Sequence, residues 1–152
     1  MKMSTLQRKF TVKTETMTND FWLNLPVKDI SLSKVFYTEL GFTFKPLPGN
    51  NPGMACLLVG DKEVMVMLCE ESMFKKFTGN DVPGSKNTEV LFSFSASSRE
   101  EVDGWAAKAE KAGGSVFGKP GESQGWMYGC GFADVDGHRW NALFMDMSKM
   151  PG

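Results

Sequence analysis

Few residues in this chain are equipped for covalent or metal chemistry. The single histidine, His138, lies in the run Asp136-Gly137-His138, and an Asp-Gly pair favours a tight turn between strands. One imidazole without further ligands beside it does not hold a metal, so His138 is expected to be a turn residue. The three cysteines, Cys56, Cys69 and Cys130, are odd in number, form no C-x-x-C pair and sit in apolar, strand-like runs. They read as buried free thiols. The glycines between Gly121 and Gly129 follow no phosphate-loop spacing, so no nucleotide site is expected there.

Composition narrows the function classes. The chain has 152 residues, 41% hydrophobic and 23% charged, with a formal net charge of −1, which suits one globular domain. No Lys/Arg cluster forms a basic stripe, which argues against a nucleic-acid partner. No apolar run approaches the roughly 18 residues needed to span a bilayer. The first twenty residues are polar and lack a secretory core, so a cytoplasmic location is expected.

The elements that must position any site repeat themselves. Residues 1–20 are polar and aperiodic and read as an N-terminal arm. A first module, about 21–71, opens with a strand at Phe21–Val27. A helix follows from near Ser31, with Leu32, Val35, Phe36 and Leu40 at helical spacing and Gly41 as its stop. A short strand begins at Phe42. A hairpin, Met54–Val59 and Val64–Cys69, is turned at Gly60-Asp61-Lys62. A linker, about 72–87, includes a short helix near its start. The second module, about 88–147, has the same order. Glu89–Ser95 reads as a strand, and Ser97-Ser98-Arg99-Glu100-Glu101 offers two overlapping capping boxes. Val102, Trp105, Ala106, Ala109 and Ala112 mark one helix face, ended by Gly113-Gly114. A short strand at Ser115–Phe117, a glycine-rich loop and a hairpin of Met127–Ala133 with Arg139–Met145 complete it. Two β-α-β-β-β units in tandem indicate an internal repeat of supersecondary structure.

Two segments carry a family resemblance. The run Leu25-Pro26-Val27-Lys28-Asp29, followed by Ser33, Phe36-Tyr37 and Leu40-Gly41-Phe42, is similar to the opening signature of the vicinal oxygen chelate superfamily. That superfamily includes glyoxalase I, bleomycin-resistance proteins and extradiol dioxygenases. The closing run Phe132-Ala133-Asp134-Val135-Asp136-Gly137-His138-Arg139-Trp140 resembles its final hairpin. The resemblance implies an α+β fold in which two β-α-β-β-β modules form a curved mixed sheet, a cup, with helices outside. It also implies self-association, with a homodimer expected, and metalloenzyme relatives whose four His, Glu or Gln ligands point into the cup.

Strand parity sorts cup from core, because side chains alternate between the faces of a strand. The uniformly apolar sets, such as Leu23 and Leu25, Val66 and Leu68, Phe92 and Phe94, or Trp140 and Ala142, are expected to face the helices. Aligned on the resemblance, Trp22, Met67, Glu89 and Asn141 fall at the four ligand positions, all on the cup parity. Tryptophan cannot ligate, a thioether is too soft for hard divalent ions, and an amide oxygen is weak. No metal ligands are therefore assigned and no cofactor is expected, although a divalent metal held by other residues stays open. Trp22, Asn24, Met65, Met67, Leu91, Trp126, Tyr128, Asn141, Leu143 and Met145 are the expected ligand pocket, soft and partly aromatic. The segment Gly121–Gly129 could cover its mouth. The function expected is metal-free binding of a small, partly aromatic or apolar molecule. The alternative is a lyase, isomerase or dioxygenase-like enzyme, either metal-dependent or cofactor-free with Glu89 as general base.

Overall fold

The computed structural model describes residues 20–152, so the expected N-terminal arm, apart from Asp20, lies outside the described residues. The first module runs β1 (Leu23–Val27), α1 (Ile30–Glu39), β2 (Thr43–Lys45), β3 (Met54–Val59) and β4 (Val64–Glu70). A short helix, α2 (Glu71–Thr78), and an extended connection follow. The second module runs β5 (Leu91–Ser95), α3 (Arg99–Lys111), β6 (Ser115–Ser123), β7 (Met127–Ala133) and β8 (Arg139–Met145), closed by a 3-10 turn at Met147–Lys149. Each module makes one four-stranded mixed sheet, in the orders β1-β4-β3-β2 and β5-β8-β7-β6. In each, the first strand pairs parallel to the last and the remaining pairs are antiparallel. The repeat is thus one of topology: the helix carries the chain from the first strand to the far edge of the sheet, and an antiparallel meander brings the last strand back beside the first. Among the described residues no strand pair joins the two sheets.

Both long helices start and stop alike. Asp29 caps α1 by accepting from the backbone N–H groups of Ser31 and Leu32, at 2.8 and 3.2 Å. Ser98 caps α3, accepting from Glu101 N at 3.1 Å, while the Glu101 carboxylate reaches back to Ser97 N at 2.6 Å. These side chains satisfy N–H groups that have no partner within the helix. At the other ends Gly41 and Gly113 both take φ of +96°, a conformation that costs a glycine little and turns the chain out of the helix.

The helices cover the faces that parity assigned to the core. Leu25, Val27, Val66, Leu68, Trp140 and Phe132 are buried in one cluster with Phe36, Tyr37 and Leu40, and Phe92 and Phe94 pack against it. Val102 and Ala106 of α3 cover Cys130 and Ala142. All three cysteines are buried free thiols. Burial pushes each thiol up from its ordinary pKa, so none is primed as a nucleophile.

Two expectations need correction here. Leu32 and Val35, taken as core positions of α1, are 61% and 56% exposed. The buried stripe of that helix is Ile30, Ser33, Phe36 and Tyr37, continued by Leu40. The stripe turns that way because its polar members have partners in the second module: Ser33 Oγ donates to Asp136 at 3.4 Å and Tyr37 Oη donates to Asp134 at 2.6 Å. The second correction concerns Ser115–Phe117. That short strand extends to Ser123 and absorbs most of the glycine-rich loop, pairing with β7 through irregularities around Gly118. Pro120 is tolerated because β6 is an edge strand. The segment proposed as a cover is the end of a hairpin, turned at Gln124-Gly125, both with positive φ.

A buried polar latch ties the modules together. Asp134 is 4% exposed and accepts from Tyr37 Oη and from the backbone N–H groups of Asp136 and His138. Trp140 Nε1 donates to the same tyrosine oxygen at 3.2 Å. Around this centre, Lys28 N donates to Asp136 at 3.0 Å, and His138 Nε2 lies 2.7 Å from the carbonyl oxygen of Pro26. Burial raises the Asp134 carboxyl above the usual carboxylate range, opposed by nearby His138 and the Tyr37 hydrogen bond. Burial, then the Asp134 charge, holds the Tyr37 hydroxyl well above its ordinary value.

Candidate functional site

The faces turned away from the helices form the candidate site, and strand register decides which residues meet there. In the first sheet Asn24 lies beside Met67, which lies beside Cys56. In the second, Ser93 lies beside Asn141, which lies beside Gly131; the next rows are Leu91–Arg139–Ala133 and Ser95–Leu143–Gly129. The orientation follows from the opposite parity being buried against helices, as Trp140 and Ala142 are.

The four positions aligned as metal ligands are not brought together. Asn141 faces Ser93, whereas Glu89 precedes β5 by two residues and stands two register pairs away. At about 3.3 Å per residue those four residues separate Glu89 from Ser93 by about 13 Å along the strand. Likewise Met67 faces Asn24, and Trp22 precedes β1. The pairing puts Trp22 two residues from Asn24 and Glu89 four residues from Ser93, even displacements that keep each side chain on the same face. Glu89 is exposed and lines a cleft that Asn24 and Arg139 also line.

A hard divalent ion of the kind the resemblance implies does not fit these donors. The residues opposed across the first and last strands are an amide with a thioether, Asn24–Met67, and a hydroxyl with an amide, Ser93–Asn141. None carries negative charge, and Met sulfur is a soft donor. Among the described residues no group of three or more His, Cys, Asp or Glu is placed to hold a metal ion.

The expected pocket residues separate into three groups. Met65, Met67, Asn24, Leu91, Asn141, Leu143 and Met145 lie on the face opposite the helices, with Leu91 49% and Met145 41% exposed. Trp22 extends that parity beyond the strand end and is 49% exposed. Tyr128 is on the wrong side: its hydroxyl donates to Asp103 of α3 at 2.7 Å and Arg99 sits 5.7 Å over its ring. It pairs with Phe144, on the helix-facing parity, which assigning the whole aromatic loop to one pocket overlooked. Trp126 is half-buried in the hairpin turn, its carbonyl accepting from Asp146 N at 2.8 Å.

Arg139 and Phe117 escaped the sequence reading. Arg139 shares the parity of Asn141, which was the signal available, and its guanidinium carbon lies 4.0 Å from the centre of the Phe117 ring. That ring lies over Gly131, where any Cβ would overlap it; Gly129 is covered in the same way by Leu143. The glycines make a flat floor on which neighbouring side chains lie down. Beside it, a cleft of about 420 Å³ opens between the modules, lined by Asn24 and Pro26 of β1, Phe74 and Lys75 of α2, and the Gly137–Arg139 turn.

Comparisons with known proteins agree on the architecture. A family model described as bleomycin resistance protein-like N-terminal matches residues 21–60. Among solved structures, the hypothetical protein SA1046 from S. aureus is similar, with 34% identity, TM-score 0.76, and coverage of 85% of this chain and 95% of that one. A glyoxalase-related enzyme from Fulvimarina pelagi shares 18% identity with TM-score 0.70, covering 84% and 88% of the two chains. A glyoxalase/bleomycin resistance protein/dioxygenase from Nocardioides shares 20% identity with TM-score 0.66, covering 91% of each. No curated protein matches the chain. Among the described residues no helix is long and apolar enough to cross a membrane.

Proposed function

Because the chain belongs to the vicinal oxygen chelate superfamily, we propose that it binds a small, partly aromatic or apolar organic molecule on its cup faces without a metal. The observation that carries this reading is the neutral, soft floor formed by Asn24–Met67 and Ser93–Asn141 where ligating side chains would have to stand. Methionines Met65, Met67, Met127 and Met145 adapt to irregular ligand shapes, and the glycine floor leaves room for a flat one. Two sheets joined by no strand pair leave both cup faces open, with Trp22, Leu91 and Met145 between 41% and 49% exposed. A homodimer that covers these faces would enclose the ligand and remove apolar surface from water.

Two measurements test this. Elemental analysis of untagged protein, followed by titration with nickel, zinc, manganese and ferrous ions, is expected to give no stoichiometric site. One ion held per chain would overturn the metal-free reading. A fluorescent hydrophobic probe is expected to bind, and to bind more weakly after Trp22→Ala; an unaltered dissociation constant places the ligand elsewhere. Sedimentation velocity is expected to show a dimer.

A further inference from the structure

Given the binding role proposed above, we infer that the cup floor of the second module carries an anion subsite centred on Arg139, and that the ligand is a planar organic carboxylate. The two stacked arginines of this module make the contrast. Arg99, on the helix side, lies over Tyr128 and Phe144 and is neutralised by Glu122, to which Nε and Nη2 donate at 2.9 and 2.6 Å. Arg139, on the cup side, lies over Phe117 at 4.0 Å, but among the described residues it has neither an ion pair nor a side-chain hydrogen bond.

The half-buried guanidinium carries five N–H donors in a planar fork that matches a carboxylate. Contact with the Phe117 ring restrains the fork, so less side-chain entropy is lost when an anion docks. The surroundings are shaped to the same end. Phe117 can lie over β7 only because residue 131 is glycine. The next register row offers the Ser93 hydroxyl and the Asn141 amide as further donors. The row beyond, with Leu143 lying across Gly129, is apolar and low, suited to a ring rather than a chain. An anionic head at Arg139 and a flat apolar body toward Leu143 therefore fit one molecule.

The test uses isothermal titration of the full-length protein with 2-naphthoate and with its uncharged analogue 2-naphthamide. The wild type is expected to prefer the carboxylate. Arg139→Gln is expected to weaken naphthoate by at least about tenfold, the loss of one charge-assisted hydrogen-bonded pair, and to leave naphthamide unchanged. Arg139→Lys keeps the charge without the fork, and an intermediate loss is expected. Should Arg139→Gln fail to fold, Arg139→Lys and the wild type's own salt response decide: naphthoate affinity falls as salt rises while naphthamide affinity holds. Equal affinity of the wild type for both probes, or a naphthoate constant unmoved by either variant, overturns the anion subsite and leaves the cup as a neutral binding site. Binding of neither probe overturns the subsite, and failure of the hydrophobic probe as well would remove the binding role beneath it. Dissociation of the dimer by Arg139→Gln without ligand would assign this side chain to the subunit contact instead.

Discussion

The Tyr37→Phe substitution tests whether the polar latch between the modules is a major source of stability. The hydroxyl is fully buried, donates to Asp134 at 2.6 Å and accepts from Trp140 Nε1 at 3.2 Å. Phenylalanine keeps the ring contacts with Phe36, Phe42 and Trp140, so little packing is lost. What remains is a carboxylate oxygen short of its donor, worth about 2 kcal/mol, and an indole N–H without an acceptor, worth about 1 kcal/mol. The sum, about 3 kcal/mol, corresponds to a melting-point drop of roughly 6–12 °C in a domain of this size. Urea unfolding followed by tryptophan fluorescence would read it as a lower midpoint with an unchanged slope. A double-mutant cycle with Asp134→Asn is expected to show coupling above about 1 kcal/mol, since both changes break one network. A loss below about 1 kcal/mol, or strict additivity with Asp134→Asn, would refute the latch as a cooperative unit.

Alkaline pH reads the same tyrosine differently. Its pKa is raised well above 10.0 by burial and by Asp134, so its contribution is intact below about pH 10 and lost as pH rises beyond. There the unfolded chain releases a proton that the folded one keeps, and stability is expected to fall by about 1.4 kcal/mol per pH unit. Tyr37→Phe should remove that increment from the slope, and equal slopes for the two proteins above pH 10 would contradict it. Gly114→Ala is expected to destabilise by more than about 2 kcal/mol in thermal melts. Its Cβ would overlap the Ala133 carbonyl oxygen and stand 2.8 Å from Phe36 Cε2, a backbone clash that no rotamer relieves. Asp29→Ala removes the acceptor for Ser31 N and Leu32 N, and chemical unfolding should show a loss of about 1 kcal/mol; no measurable loss would make the cap dispensable.

Element types, their repetition and the faces of the strands could be read from the residues because each has a local cause. Asp29, Ser98, Gly41 and Gly113 mark helix ends through single-residue chemistry. Alternation with period two placed Leu25, Val66, Phe92 and Trp140 against the helices before any pairing was known. Register could not be read, because a shift of two residues preserves every face. Glu89 and Ser93 are equivalent by parity, and only the pairing of β5 with β8 puts Ser93 opposite Asn141. The same limit hid Arg139, whose meaning depends on Phe117 lying down over a glycine 14 residues away in sequence.

Contacts between the modules decided the rest. The apolar pattern of α1 allows more than one buried face. The choice fell to the side where Ser33 and Tyr37 find Asp136 and Asp134, about one hundred residues on. Glycine and proline chemistry argued for a loop where β6 runs, and the exposed edge of β7 overruled it by offering hydrogen bonds. Sequence therefore fixed what each residue prefers by itself and with its near neighbours. The pairing of distant strands and the burial of polar groups between modules were settled by folding, because an unpaired buried donor or acceptor costs more than a local propensity returns.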